Sequence, residues 1–196
     1  MAGLDLDAFK SSVMNNNLLR PNLFRIRIFP PQSILNIAGD NSFSLLADEL
    51  ELWGEATVLP SFDIGAHQGM RFGYGSIERR PYVPVYDPWP VTFRIDAGGY
   101  VWKLFKNWNN LVVNTKGDFS GSNPSKYELA YKTEYLTDTE ISIFTEIETN
   151  PINVTMIEAF PYALRPVRLD WADNNSYMKL EVFFAFTDWL STDDVR

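Results

Sequence analysis

His67 is the only histidine in the chain and so the first place to look for a general base, because imidazole titrates near neutral pH. It stands in a glycine-rich stretch with no serine–carboxylate constellation around it, and reads as a solvated loop residue. Glu146 and Glu148 come next, since two carboxylates flanking a glycosidic bond perform acid–base hydrolysis. Two apart on one strand, they project the same way and do not flank a bond from both sides. Asp170, Asp173 and Asn174 resemble part of a calcium loop, but the ligands are too few and a turn accounts for them. The Gly69–Gly75 run lacks the Gly-Lys-Ser/Thr ending of a phosphate loop. Trp89, Trp102, Trp108, Trp171 and Trp189 could form a sugar platform, yet Trp108 and Trp171 fall on apolar faces and read as core. With no cysteine, thiolate ligands, disulfides and cysteine nucleophiles are removed together. No catalytic residue, metal site or cofactor is expected.

Composition narrows the partners. A chain of 196 residues suits one domain with a substantial core, and 45 % hydrophobic against 21 % charged residues is ordinary globular usage. The net charge is −8, with 8 basic against 11 acidic residues up to position 100 and 9 against 14 beyond it. Tight nucleic-acid binders carry the opposite surplus, so specific DNA binding is not expected. No apolar run is long enough to span a bilayer and no secretory pattern opens the chain, so a soluble protein without stable membrane association is expected.

The elements that would position these residues are mostly strands. Val154 to Trp189 is the organising stretch. In it, Pro166–Trp171 places Val167, Leu169 and Trp171 on one side of an extended chain, Asp173–Ser176 signals a turn, and Met178–Phe186 forms a second strand. Phe183 and Ala185 make that second strand apolar on both sides, which predicts a long β-hairpin covered on both faces. Further strands are predicted over 23–29, 50–59 and 89–96. A helix over 100–111 carries Val101, Leu104, Phe105, Trp108 and Leu111 on one face. A short amino-terminal helix is predicted within 4–15, and 127–135 reads as strand or short helix. Residues 61–90 read as a twisted hairpin with a long tip, or more sharply as a projecting arm whose Met70, Phe72 and Tyr74 meet another subunit. Glu140, Glu146 and Glu148 share a strand face opposite Ile141, Ile143 and Ile147. Positions 133–150 hold five acidic residues and no basic one, so nothing local neutralises them. The whole reads as one domain over 1–196, with an extension over 1–19 and loops near 32–47, 61–86 and 114–126.

Several segments in order then match a known pattern. Arg20-Pro21-Asn22-Leu23-Phe24 precedes the first strand, and Ala56-Thr57-Val58-Leu59-Pro60-Ser61 closes the second. Tyr86-Asp87 to Phe93 leads to a helix carrying Phe105 and Trp108, and Leu169-Asp170-Trp171-Ala172-Asp173-Asn174-Asn175 leads to Asp188-Trp189. This series, from about Arg20 to Trp189, resembles the tail tube proteins of contractile-tailed bacteriophages, in particular the T4-like branch. Segments 32–47 and 117–126 look inserted relative to it.

The resemblance implies a mainly β fold: an antiparallel β-sandwich or small barrel with one flanking α-helix, whose strands join neighbours into a ring-wide barrel. It implies stacked hexameric rings forming a tube in the virion, assembled in the host cytoplasm. The partners it implies are tail sheath, baseplate hub and tail terminator proteins, with viral DNA passing through unbound. On that reading Glu140, Glu146 and Glu148 face the lumen, and Met70, Phe72, Tyr74, Phe183 and Phe186 meet neighbouring subunits. A tube-initiating baseplate protein of the same fold is the near alternative. A carbohydrate-binding β-sandwich is the alternative from another class, and a glycosidase built on Glu146 is a third.

Overall fold

The computed structural model describes residues 6, 10–11, 19–35, 49–70, 73–115, 127–145, 152–173 and 176–192. β1 (Phe24–Ile28) buries Ile26 and Ile28 and turns Arg25 and Arg27 outward, as its alternation requires. Pro30 and Pro31 end it, and one helical turn, α1 (Gln32–Leu35), follows with Ile34 buried. The strand expected over 50–59 is shorter than its pattern suggests: residues 49–53 are helical, and β2 covers only Gly54–Thr57. Leu50 and Trp53, three apart, both turn toward the core from that helical turn. β3 (Phe62–Gly69) and β4 (Glu78–Tyr86) form the expected hairpin, and β5 (Trp89–Arg94) follows.

α2 (Tyr100–Val112) is the predicted helix. Its entry is built from Asp96, whose carboxylate accepts the Val101 N–H at 3.0 Å, and from Gly99, whose φ of 66° is unfavourable for residues with a Cβ. α3 (Lys132–Tyr135) settles the alternative left open over 127–135 in favour of a short helix. The strand face read from Glu140 to Glu148 is only partly a strand: β6 (Thr137–Ile143) starts before Glu140, leaves Phe144 and Thr145 outside it, and buries Thr139 and Ile141. β7 (Ile152–Leu164), β8 (Lys179–Ala185) and β9 (Asp188–Ser191) complete the elements. Of the predicted amino-terminal helix, Leu6, Lys10 and Ser11 are helical and the other positions lie outside the described residues.

Among the described residues, one antiparallel seven-stranded sheet runs in the order β1-β6-β7-β8-β5-β2, with β9 also on β7. β7 holds it together by changing partners. Its first half, through Ile157, lies between β6 and β9, whereas Phe160–Leu164 pairs with β8. The change falls at Glu158, a non-glycine residue with φ of 55°. Asp138 accepts its N–H at 3.2 Å, and its carboxylate accepts the Thr187 hydroxyl at 2.7 Å. Thr187 lies on the corner where β8 becomes β9, so both strands turn at the same level and fold the sheet over its own core.

The hairpin predicted from Pro166–Trp171 is corrected by the structure. The strand facing β8 is β7, and the described residues between them, 165–173 and 176–178, lie outside any strand. Leu169 and Trp171 are exposed, Trp171 completely so at 103 %, and Trp171 is therefore not core. Alternation shows only which side chains would share a face if the segment were paired, and here no strand pairs it.

The core lies between the folded sheet and α2. Val101, Leu104, Phe105 and Trp108 of the helix are all fully buried. Phe105 lies 4.9 Å from Phe93 and 5.9 Å from Phe184. Phe184 is also 5.5 Å from Trp89 and 6.3 Å from Trp108. The two buried indoles keep their N–H groups bonded, Trp89 to the Val58 carbonyl at 2.7 Å and Trp108 to the Tyr135 carbonyl at 2.8 Å. Gly54 lets Ile26 approach closely, because a Cβ there would lie 3.2 Å from Ile26 Cδ1. β1 and β2, the two ends of the sheet, thus come near each other across the core.

Candidate assembly surfaces

The β3–β4 hairpin leaves the body at an aromatic root. Phe62 lies 6.4 Å from Tyr86 and 6.1 Å from Trp189, and Tyr86 lies 5.6 Å from Phe186. The Tyr86 hydroxyl donates to Asp188 at 2.9 Å, and this bond to a carboxylate raises the phenol above its usual pKa. Beyond the root almost every residue is exposed on both faces, including Ile64, Met70, Ile77, Tyr82, Val85 and, at 76 %, Tyr74. An isolated two-stranded ribbon is marginal in water, so an apolar one bare on both sides is incomplete alone. The sharper sequence reading, a projecting arm, matches this exposure. Phe72 lies outside the described residues. Phe186 is half-buried at the arm's root, and Phe183 is half-buried on the outer face of β8 with the Arg165 guanidinium 4.7 Å from its ring.

Sheet edges are the second incomplete feature. Among the described residues, β1 and β2 pair on one side only, and so does β9. Unpaired ladders invite strand addition from another chain unless they are covered.

The outer face of β1 and β6 carries charges of both signs. Arg27 stands opposite Glu140 in register, 3.7 Å from its carboxylate, and Glu51 lies 3.7 Å from Arg25 and 3.6 Å from Arg27. Glu140 therefore has a local counter-charge, against the sequence expectation, because the cation comes from the neighbouring strand and is remote in sequence. Glu146 and Glu148 lie outside the described residues. Ser142, beside Glu140, donates to Asn153 at 3.1 Å.

On the other half of the sheet Arg94 faces Lys179 across β5 and β8, a like-charged pair that would repel. Glu55 of β2 resolves it: its carboxylate is 2.5 Å from Lys179, 3.9 Å from Arg94, and accepts the Tyr177 hydroxyl at 3.0 Å. The Lys179 hydrogen bond, with help from Tyr177 and Arg94, holds Glu55 below the ordinary carboxylate value of 4.5, and Glu55 holds Lys179 above 10.5. A lowered folded-state pKa contributes stability that is complete above the unfolded value and lost as pH falls through the folded one. Melting temperature should therefore drop as pH falls below about 4.5 by more in the native chain than in Glu55→Gln, which lacks the titrating group. Parallel pH profiles for the two would contradict this role.

His67 and Asp170 both lie on the surface. His67 is exposed on β3, opposite Arg80 in register. Asp170 accepts the Ala172 N–H at 3.0 Å and the Arg168 guanidinium at 2.7 Å, which together lower its pKa, the backbone bond contributing most. The turn observed runs over Asp170–Asp173, ahead of the one expected over Asp173–Ser176, of which Asn174 and Asn175 lie outside the described residues. Among the described residues no group of three or more acidic, histidine or cysteine side chains could hold a metal ion. Of the tryptophans proposed for a sugar platform, Trp89 and Trp108 are buried.

A folded sheet with one-sided edges and an apolar arm defines a structural building block, a subunit completed by others. The chain belongs to the phage tail tube protein family, whose model matches residues 19–192. It is similar to the tail tube protein gp19 of Enterobacteria phage T4, 24 % identical over 179 residues that cover 89 % of this chain and 93 % of that one. The corresponding protein of phage T6 is 22 % identical over 177 residues, with the same coverage. Among solved structures, the tube-terminating cap of the anti-feeding prophage has a TM-score of 0.51 at 12 % identity, covering 89 % of this chain and 90 % of that one. Such low identity speaks for the fold alone. The chain is a structural component of the virion's tail tube, as its sequence resemblance indicated.

Proposed function

We propose that copies of this chain close into hexameric rings by joining strand edges, and that the rings stack into the inner tube of a contractile tail. The one-sided strands β1, β2 and β9 carry this reading, since lateral ring closure supplies their missing partners. A head-to-tail ring has two different faces, which permits open-ended stacking along its axis. The arm is the inter-ring contact, through Met70, Phe72 and Tyr74. The sheath surrounds the tube, and a baseplate hub and a tail terminator close its ends. The protein has no catalytic role on this reading.

Viral DNA passes through without specific binding. Glu140, Glu146 and Glu148 line the channel, where like charge keeps a polyanion from adhering within a reach of about 8 Å at physiological salt. Arg27 beside Glu140 makes that part of the wall mixed rather than purely acidic. Negative-stain microscopy of the purified chain tests assembly directly: rings or filaments are the expected result, and monomers at high concentration would refute it. A density map with the three glutamates on the outer wall would refute the lumen assignment alone.

A further inference from the structure

Two unpartnered apolar features lie at opposite ends of the β2–β5–β8 half of the sheet. At one end the 165–178 connection carries the fully exposed Trp171, and it is tied down where Tyr177 and Lys179 meet Glu55 of β2. At the other end, past Thr57, lies a hollow of about 360 Å³ walled by Phe24, Val58, Leu59, Ile143 and Ile152. One wall is tied to the core: the Thr57 hydroxyl donates to the Pro90 carbonyl at 3.0 Å, and the Val58 carbonyl accepts the buried Trp89 indole N–H at 2.7 Å. Arg20 is among the residues lining the hollow, and the loop around Trp171 carries Asp173 beside the mutually paired Arg168 and Asp170.

We infer that Trp171 of one copy inserts into this hollow on the next copy along the tube axis, with Arg20 near the partner loop's Asp173. The inference rests on the tube reading and names side chains for one of its stacking contacts. A knob at one end of a strand direction and a hole at the other are self-complementary under translation, which is the geometry of an open head-to-tail stack. The hollow has room for one indole, and a buried aromatic anchor in an apolar pocket with a charged rim is the usual anatomy of a dominant interface residue. The loop's position at the sheet's end, outside any ladder, leaves Trp171 free to project beyond the body.

Trp171→Ala should melt with the native chain, because the indole is wholly exposed in the subunit. The concentration needed for tube growth should rise at least tenfold, the loss expected of an interface anchor. The chain has no cysteine, so a second test has no background. Trp171→Cys and Leu59→Cys variants, mixed and treated with a short bismaleimide, should cross-link to each other in tubes, while neither variant should cross-link with itself. Native growth of Trp171→Ala tubes, or cross-links in Trp171→Cys tubes alone, would overturn this contact and leave the tube reading standing. A native chain that never polymerises would overturn both.

Discussion

A chain lacking Gly69–Gly75 should fold with undiminished thermal stability and build no tubes. The deletion joins Gln68 to Ser76 and leaves Ser76, Ile77 and Glu78 between the paired Gln68 and Arg79, a three-residue connection long enough to close a hairpin. No core residue is touched, since the described residues of this tip, Met70 and Tyr74 among them, are exposed. Surface changes of this kind move stability by only about 0.5 kcal/mol. Assembly is another matter, because a few aromatic and apolar anchors carry most of an interface's energy, each worth roughly 2 kcal/mol or more. Circular dichroism melts and electron microscopy on the same preparation separate the two effects. Tubes of normal length from the shortened chain would reject the arm as an inter-ring contact.

Phe184→Ala should cost about 3–5 kcal/mol of subunit stability. Phe184 is fully buried and within ring contact of Trp89, Phe105 and Trp108, so it joins β8, β5 and α2 at one point. Its removal leaves a hollow that three large rings cannot fill without leaving their rotamers. Domain stabilities are typically about 5–15 kcal/mol, so such a loss is a large share of the total. Urea unfolding with an unchanged slope and a shifted midpoint measures it. A midpoint shift equivalent to less than about 1 kcal/mol would mean the aromatic cluster is not the centre of the core. The contrast with Trp171→Ala is instructive, since a larger aromatic is removed there at almost no cost to the subunit.

Both tryptophans named as core on sequence grounds had the same warrant, an apolar side shared with neighbours at regular spacing. Trp108 obeys it because a helix satisfies its own backbone and needs only a surface to lie on, and β5 and β8 supply that surface through Phe93, which meets the helix at Phe105, and Phe184, which meets Trp108 itself. Trp171 does not, because an extended segment is a strand only if another strand accepts its hydrogen bonds. β8 was already taken by β7 on one side and β5 on the other. A similar competition shortened β2: Leu50 and Trp53 reach the core as well from a helical turn as from a strand.

Glu158 had no signature in the sequence at all. Its left-handed backbone is imposed by the meeting of four strands and held by Asp138 and Thr187, which are 20 and 29 residues away. Arg27 and Glu140 are likewise remote in sequence and adjacent only through the β1–β6 register.

By itself the sequence determined the alternation of β1 and β5, the helical period of α2, the acidic balance and the family. These depend on side-chain order along a short stretch or on composition. The tertiary structure alone decided which strands pair, where the sheet folds over, which apolar side chains stay in water and which edges remain open. Those outcomes depend on hydrogen bonds and packing between segments that no local pattern connects.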